Sequence, residues 1–106
     1  MNVKPWPPKD PLEKVWATFT FIPALNTGET ITAAQITVQL KQGVDATPAN
    51  VLDGANQIIT GNTVMQKLMG GVDQAVYLIK CIATVSSGRV LVLANKLVIE
   101  SANGSV

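Results

Sequence analysis

The sequence predicts an all-β protein, an antiparallel β-sandwich of about seven strands preceded by an extended Pro-rich N-terminal arm. Three observations carry this. Val, Ile and Thr supply 31 of the 106 residues, and such β-branched side chains suit a pleated, half-buried surface and form helices poorly. Short apolar stretches recur between clusters of Gly, Pro, Asn and Asp, the rhythm of strands and turns in a sandwich or barrel. No long stretch holds helical spacing, and the best helix candidate, Val64 to Met69, is short and followed by Gly70-Gly71.

Residues 1–14 are set apart by proline. Five of the six prolines lie between Pro5 and Pro23, four of them before Leu12. Proline fixes φ and has no N–H, so this segment is expected to be an extended arm. It is either a flexible leader or an arm that docks on a neighbouring subunit through Trp6. The sandwich is expected over residues 15–100. Its first strand runs from Val15 to Ile22, with Val15, Ala17, Phe19 and Phe21 on one face and Pro23 as the stop. Leu25 to Glu29 is a turn. The second strand runs from Ile31 to Lys41, with Ile36, Val38 and Leu40 opposite Thr37, Gln39 and Lys41. After the loop Gln42 to Pro48, Val51-Leu52 is a short third strand closed by Asp53-Gly54. Gln57 to Thr60 is a fourth and Thr63 to Met69 a fifth, with Val64 and either Met65 or Leu68 inward. The sixth, Ala75 to Val85, alternates most regularly. Ser86-Ser87-Gly88 turns the chain into the last strand, Arg89 to about Glu100. Residues 101–106 are expected to form a flexible polar tail.

Composition excludes several kinds of chemistry. The chain has no histidine, which removes the usual general base, metal ligand and partner of a Ser or Cys nucleophile. One cysteine allows neither an internal disulfide nor a thiolate zinc site, and a reducing compartment is the easier reading. Eight basic against seven acidic residues leave a net charge of +1, which gives no footprint for nucleic acid. No apolar run approaches the ~20 residues of a membrane helix. Met1 to Pro8 lacks the apolar core of a signal peptide. No enzyme activity, cofactor, metal, nucleic acid or membrane is therefore expected.

The remaining constellations have structural readings. Tyr77 after Asp73-Gln74 has the look of a tyrosine corner, in which a Tyr near the start of the penultimate strand returns its hydroxyl to nearby backbone. In the immunoglobulin pattern a cysteine follows two residues later, where this chain has Ile79. Cys81 lies in an apolar strand and reads as an inert buried thiol. Asp45, Asp53 and Asp73 fall in loops but form no D-x-D calcium loop, so they read as turn caps. Met65 and Met69 read as core filler, and Asn103-Gly104-Ser105 as a chance glycosylation match.

The informative excess lies on the last two strands. With Tyr77, Ile79, Cys81 and Ala83 inward, Val76, Leu78 and Ile82 face out, and on the final strand Val90, Val92 and Val98 alternate with Leu91, Leu93, Leu97 and Ile99. A solvated sheet face is normally polar. If two thirds of ~600 Å² on that face is apolar, leaving it wet forgoes on the order of 10 kcal/mol. A cover is expected, either the arm or another subunit. Trp6, Val76, Leu78, Ile82, Val90, Val92 and Val98 are the candidate interface, and self-association is the expected outcome.

From Asp10 onward the chain resembles small structural proteins of tailed bacteriophages and prophages with an immunoglobulin-like fold. The resemblance rests on Asp10-Pro11-Leu12-Glu13-Lys14, Gly28-Glu29-Thr30-Ile31, Gly43-Val44-Asp45 with Pro48, Leu52-Asp53-Gly54, Gly70-Gly71-Val72 with Tyr77, and Thr84-Val85-Ser86-Ser87-Gly88-Arg89. Such relatives often have a glycine just before the Tyr, where this chain has Asp73-Gln74. These are turn and corner residues, which specify fold more than function. The resemblance implies an immunoglobulin-like sandwich and a non-enzymatic virion protein (head decoration, fibre or tail-associated subunit) made in the bacterial host cytoplasm. Its partners would be phage structural proteins, including copies of itself. The alternative is a module at a fibre tip that binds a carbohydrate or host surface through its loops.

Overall fold

A computed structural model describes residues 6–54 and 58–101. They form six strands: β1 (Val15–Thr20), β2 (Ile31–Gln42), β3 (Ile58–Thr60), β4 (Thr63–Leu68), β5 (Val76–Val85) and β6 (Val90–Val98). Two antiparallel sheets result, ordered β1-β4-β3 and β2-β5-β6. Alternation along the strands builds the core. Ala17, Phe19, Val64 and Leu68 from the first sheet and Tyr77, Ile79, Cys81, Ala83, Leu93 and Leu97 from the second are buried in one cluster. Pairing extends that alternation across strands, because directly opposed residues share a face. Leu40, Tyr77 and Leu97 stand in one inward row, and Ile36, Cys81 and Leu93 in another.

Several expectations need correction. Val51-Leu52 is not a strand. Pro48 starts a 3-10 turn, Pro48–Val51, as its fixed φ favours. Only the bridge Leu52↔Leu68 pairs this segment with β4. The described residues therefore hold six strands rather than about seven. The first strand ends at Thr20, because Pro23 sits inside a second 3-10 turn, Ile22–Ala24. Val64 to Leu68 is extended, with Val64 and Leu68 inward and Gln66 buried between them.

The N-terminal segment also differs from a free arm. Over residues 6–14 it lies against its own chain. The Trp6 ring meets Phe19 edge-on, with centroids 5.3 Å apart at 71°. The Lys9 N–H donates to the Val98 carbonyl at 2.9 Å, and the Glu100 N–H donates to the Lys9 carbonyl at 2.8 Å. Asp10 then closes a turn, accepting from the Leu12 N–H at 2.8 Å. Residues 1–5, Gln57 and the expected tail beyond Ser101 lie outside the described residues.

Candidate interaction surface

Sheet register places the candidate residues side by side. On the outer face of β2-β5-β6, Val76 opposes Val98, Leu78 opposes Lys96, Lys80 opposes Ala94, Ile82 opposes Val92 and Thr84 opposes Val90. From β2, Gln39 stands beside Leu78, Thr37 beside Lys80 and Gln35 beside Ile82. Val90 and Val92 are 58% and 53% exposed, while Val76, Leu78, Ile82 and Val98 are half-buried by their neighbours. The uncovered apolar surface thus centres on Val90, Val92 and Ile82, and is smaller than a wholly apolar face. Lys80 and Lys96 are exposed on the same face, and no acidic residue stands in these rows. The result is an aliphatic patch with a positive border.

Trp6 does not belong to that patch. Its ring packs toward the core at Phe19, so it does not cover the β5–β6 face. The segment Trp6 to Lys9 instead lines a cleft of about 380 Å³ together with Val15 to Thr18 of β1, Leu68 and Leu97.

The two ends of the molecule are locked by polar contacts that position loops. At one end the buried Tyr77 hydroxyl accepts from the Val72 N–H at 3.0 Å and donates to Asp45 Oδ2 at 2.7 Å. Asp45 Oδ1 accepts from the Thr47 N–H at 2.9 Å. The Tyr77 bond and that amide hold the Asp45 carboxyl below its ordinary pKa, and burial raises that of Tyr77. Near this end the Lys9 side chain is buried and donates to the Gly70 and Asp10 carbonyls at 2.7 and 2.9 Å. Burial lowers its pKa, opposed by the nearby Glu13 and Asp10. At the other end Arg89 and Ser87 donate to the Glu29 carboxylate, and Arg89 also donates to the Ala24 carbonyl at 2.9 Å. The hydrogen bonds from Arg89, Ser87 and the Asn26 N–H bring Glu29 down to about 2.

Burial pushes the Cys81 thiol up to about 12, so it is a protonated core group and a poor nucleophile. Asp53 pairs with Lys67 at 3.8 Å, and Asp73 accepts from the Ser101 N–H at 3.0 Å, so the loop aspartates work separately. Among the described residues, no helix is long and apolar enough to cross a membrane. The Glu29–Arg89 clamp and buried Lys9 escaped the sequence reading. Their partners lie about 60 residues away, and neither ladder alternation nor turn chemistry signals such a contact.

The family model described as "Podophage GP4 fiber-tail adaptor protein gp77" matches residues 9–97. No curated protein matches the chain.

Proposed function

The chain belongs to the podophage GP4 fiber-tail adaptor family, and from that premise we propose that it is a non-enzymatic adaptor subunit joining fibre to tail through the outer face of β2-β5-β6. Membership makes it a tailed-phage structural protein, a virion component that meets other phage structural proteins. The exposed pair Val90 and Val92 beside Ile82 carries the choice of face, because an aliphatic cluster left on a sheet surface gains most from a partner. Its border suggests the partner's character. Two copies docked through this face would bring lysines together, whereas a different tail protein with carboxylates around an apolar centre would satisfy Lys80 and Lys96. Synthesis in the host cytoplasm and assembly there are part of the same reading.

An immunoglobulin-like sandwich is the fold we propose for this adaptor. In that fold strands A, B, E and D form one sheet and C, F and G the other. Taking β1 to β6 as B to G, the observed orders correspond to B-E-D and C-F-G. Tyr77 then stands at the start of F with its hydroxyl bonded upstream, which also supports the reading. A sugar-binding role at a fibre tip has less support. The aromatic residues are Trp6, Trp16, Phe19, Phe21 and Tyr77, and none offers an exposed ring from a loop between strands.

Val92→Lys tests the contact. Val92 is already half-exposed, so a lysine there should leave the melting temperature within a few degrees of wild type. Incorporation into particles should fall at least tenfold, read by quantifying the protein in purified virions. Normal incorporation would remove this face from the assembly.

A further inference from the structure

Four strands form the edges of the two sheets, and three of them carry devices that discourage pairing with another chain. β2 has register irregularities at Ile31/Ala33 and Leu40/Gln42 and carries Lys41. β3 has three residues. β6 carries Lys96, and its end is capped by the bridge Lys9↔Ile99. Bulges, short strands and edge lysines are the usual protections. β1, with sequence VWATFT, carries no charge, no proline and no register shift against β4.

Its free backbone groups can be identified. The Phe21 N–H donates to the Asn62 carbonyl at 2.9 Å on the β4 side. The Lys67 carbonyl accepts from the Asp53 N–H at 2.9 Å on the β3 side, away from β1. Backbone groups of alternate residues point to opposite edges in an antiparallel strand. Hence Val15, Ala17 and Phe19 pair with β4, and Trp16, Thr18 and Thr20 turn their N–H and C=O groups to the open edge. No strand pairs with that edge among the described residues. The cleft of about 380 Å³ adjoins β1, lined by Val15 to Thr18 and by Trp6 to Lys9.

We propose that this slot receives an extended strand from another virion polypeptide, which adds to β1 by main-chain hydrogen bonds to Trp16, Thr18 and Thr20. The occupant would alternate, with apolar side chains facing Val15, Leu68 and Leu97 and polar ones on the solvent side. The identity of the donor as a tail protein rests on the adaptor reading above; the open edge does not.

Hydrogen exchange of segment 15–20 tests this in the wild-type protein. In the free protein the amides of Trp16, Thr18 and Thr20 should exchange quickly and those of Ala17 and Phe19 slowly. In purified particles the first three should slow at least about tenfold. Fast exchange in particles would overturn strand addition. Slow exchange already in the free protein would also overturn it, because residues 1–5 or a second copy would then cover the edge. Thr18→Pro removes only the outward donor, a position where an edge strand tolerates proline. It should abolish incorporation, and normal incorporation would count against the slot. Loss of assembly in Val92→Lys alone would leave the adaptor reading standing and sink only the strand proposal.

Discussion

Tyr77 holds two loops with one oxygen. Its hydroxyl takes a hydrogen bond from the Val72 amide and gives one to the Asp45 carboxylate. Tyr77→Phe would leave both partners unmatched beside a buried ring. The expected cost is about 1–2 kcal/mol, read as a fall in Tm of about 4–8 °C per kcal/mol. Glu29 gives a pH-dependent counterpart at the other end. Its folded pKa of about 2 lies below the ordinary carboxyl value of 4.5, so the folded state binds this proton less readily than the unfolded one. The resulting stability is fully present above about 4.5 and is lost as pH falls through about 2. Thermal melts of wild type and Glu29→Gln should therefore differ at pH 6 and converge as pH is lowered from 4.5 toward 2. A gap that stays constant across this range would deny the clamp its role. The sequence showed Tyr77 because its spacing from the strand start is a local signal. It could not show the Glu29–Arg89 clamp, which depends on where distant turns meet.

At the scale of elements, strands were legible wherever one face is buried. β5 and β6 alternate strictly, and their burial follows that alternation. The Val51-Leu52 segment misled because two apolar residues before Asp-Gly look like a strand, while Pro48 had already committed the backbone to a 3-10 turn. The arm misled in a different way. Proline content predicts extension, and the fold then holds the chain through Trp6 and Lys9. The β4–β5 connection packs closely against Ile99. Gly71 has φ +97°, and a Cβ there would lie 2.7 Å from Ile99 Cδ1 and Cγ1. Gly71→Ala thus combines backbone strain with a clash in the core. It should destabilise by about 2 kcal/mol or more, measured by urea denaturation. A neutral substitution would mean that the loop is free to relax away from Ile99.

For the whole molecule, sequence reasoning reached the two-layer logic and the outward set Val76, Leu78, Ile82, Val90, Val92 and Val98, but overstated how apolar that face is. Lys96 falls beside Leu78 only through the β5–β6 register, and the glutamines come from β2, three elements earlier in the chain. That register makes the patch small and positively bordered, which supports the proposed dissimilar partner over a second copy. Light scattering of the purified protein separates these cases: a monomer in solution fits a dissimilar partner, and a dimer abolished by Val92→Lys fits a second copy.

Lys80 and Lys96 provide the most direct reporter, since both are exposed on the outer face of the second sheet. Amine-reactive labelling, with modified sites counted by mass spectrometry, compares the free protein with the same protein in intact particles. Both lysines should label readily when the protein is free and be strongly shielded in the virion; equal labelling in the two states would contradict the proposed contact.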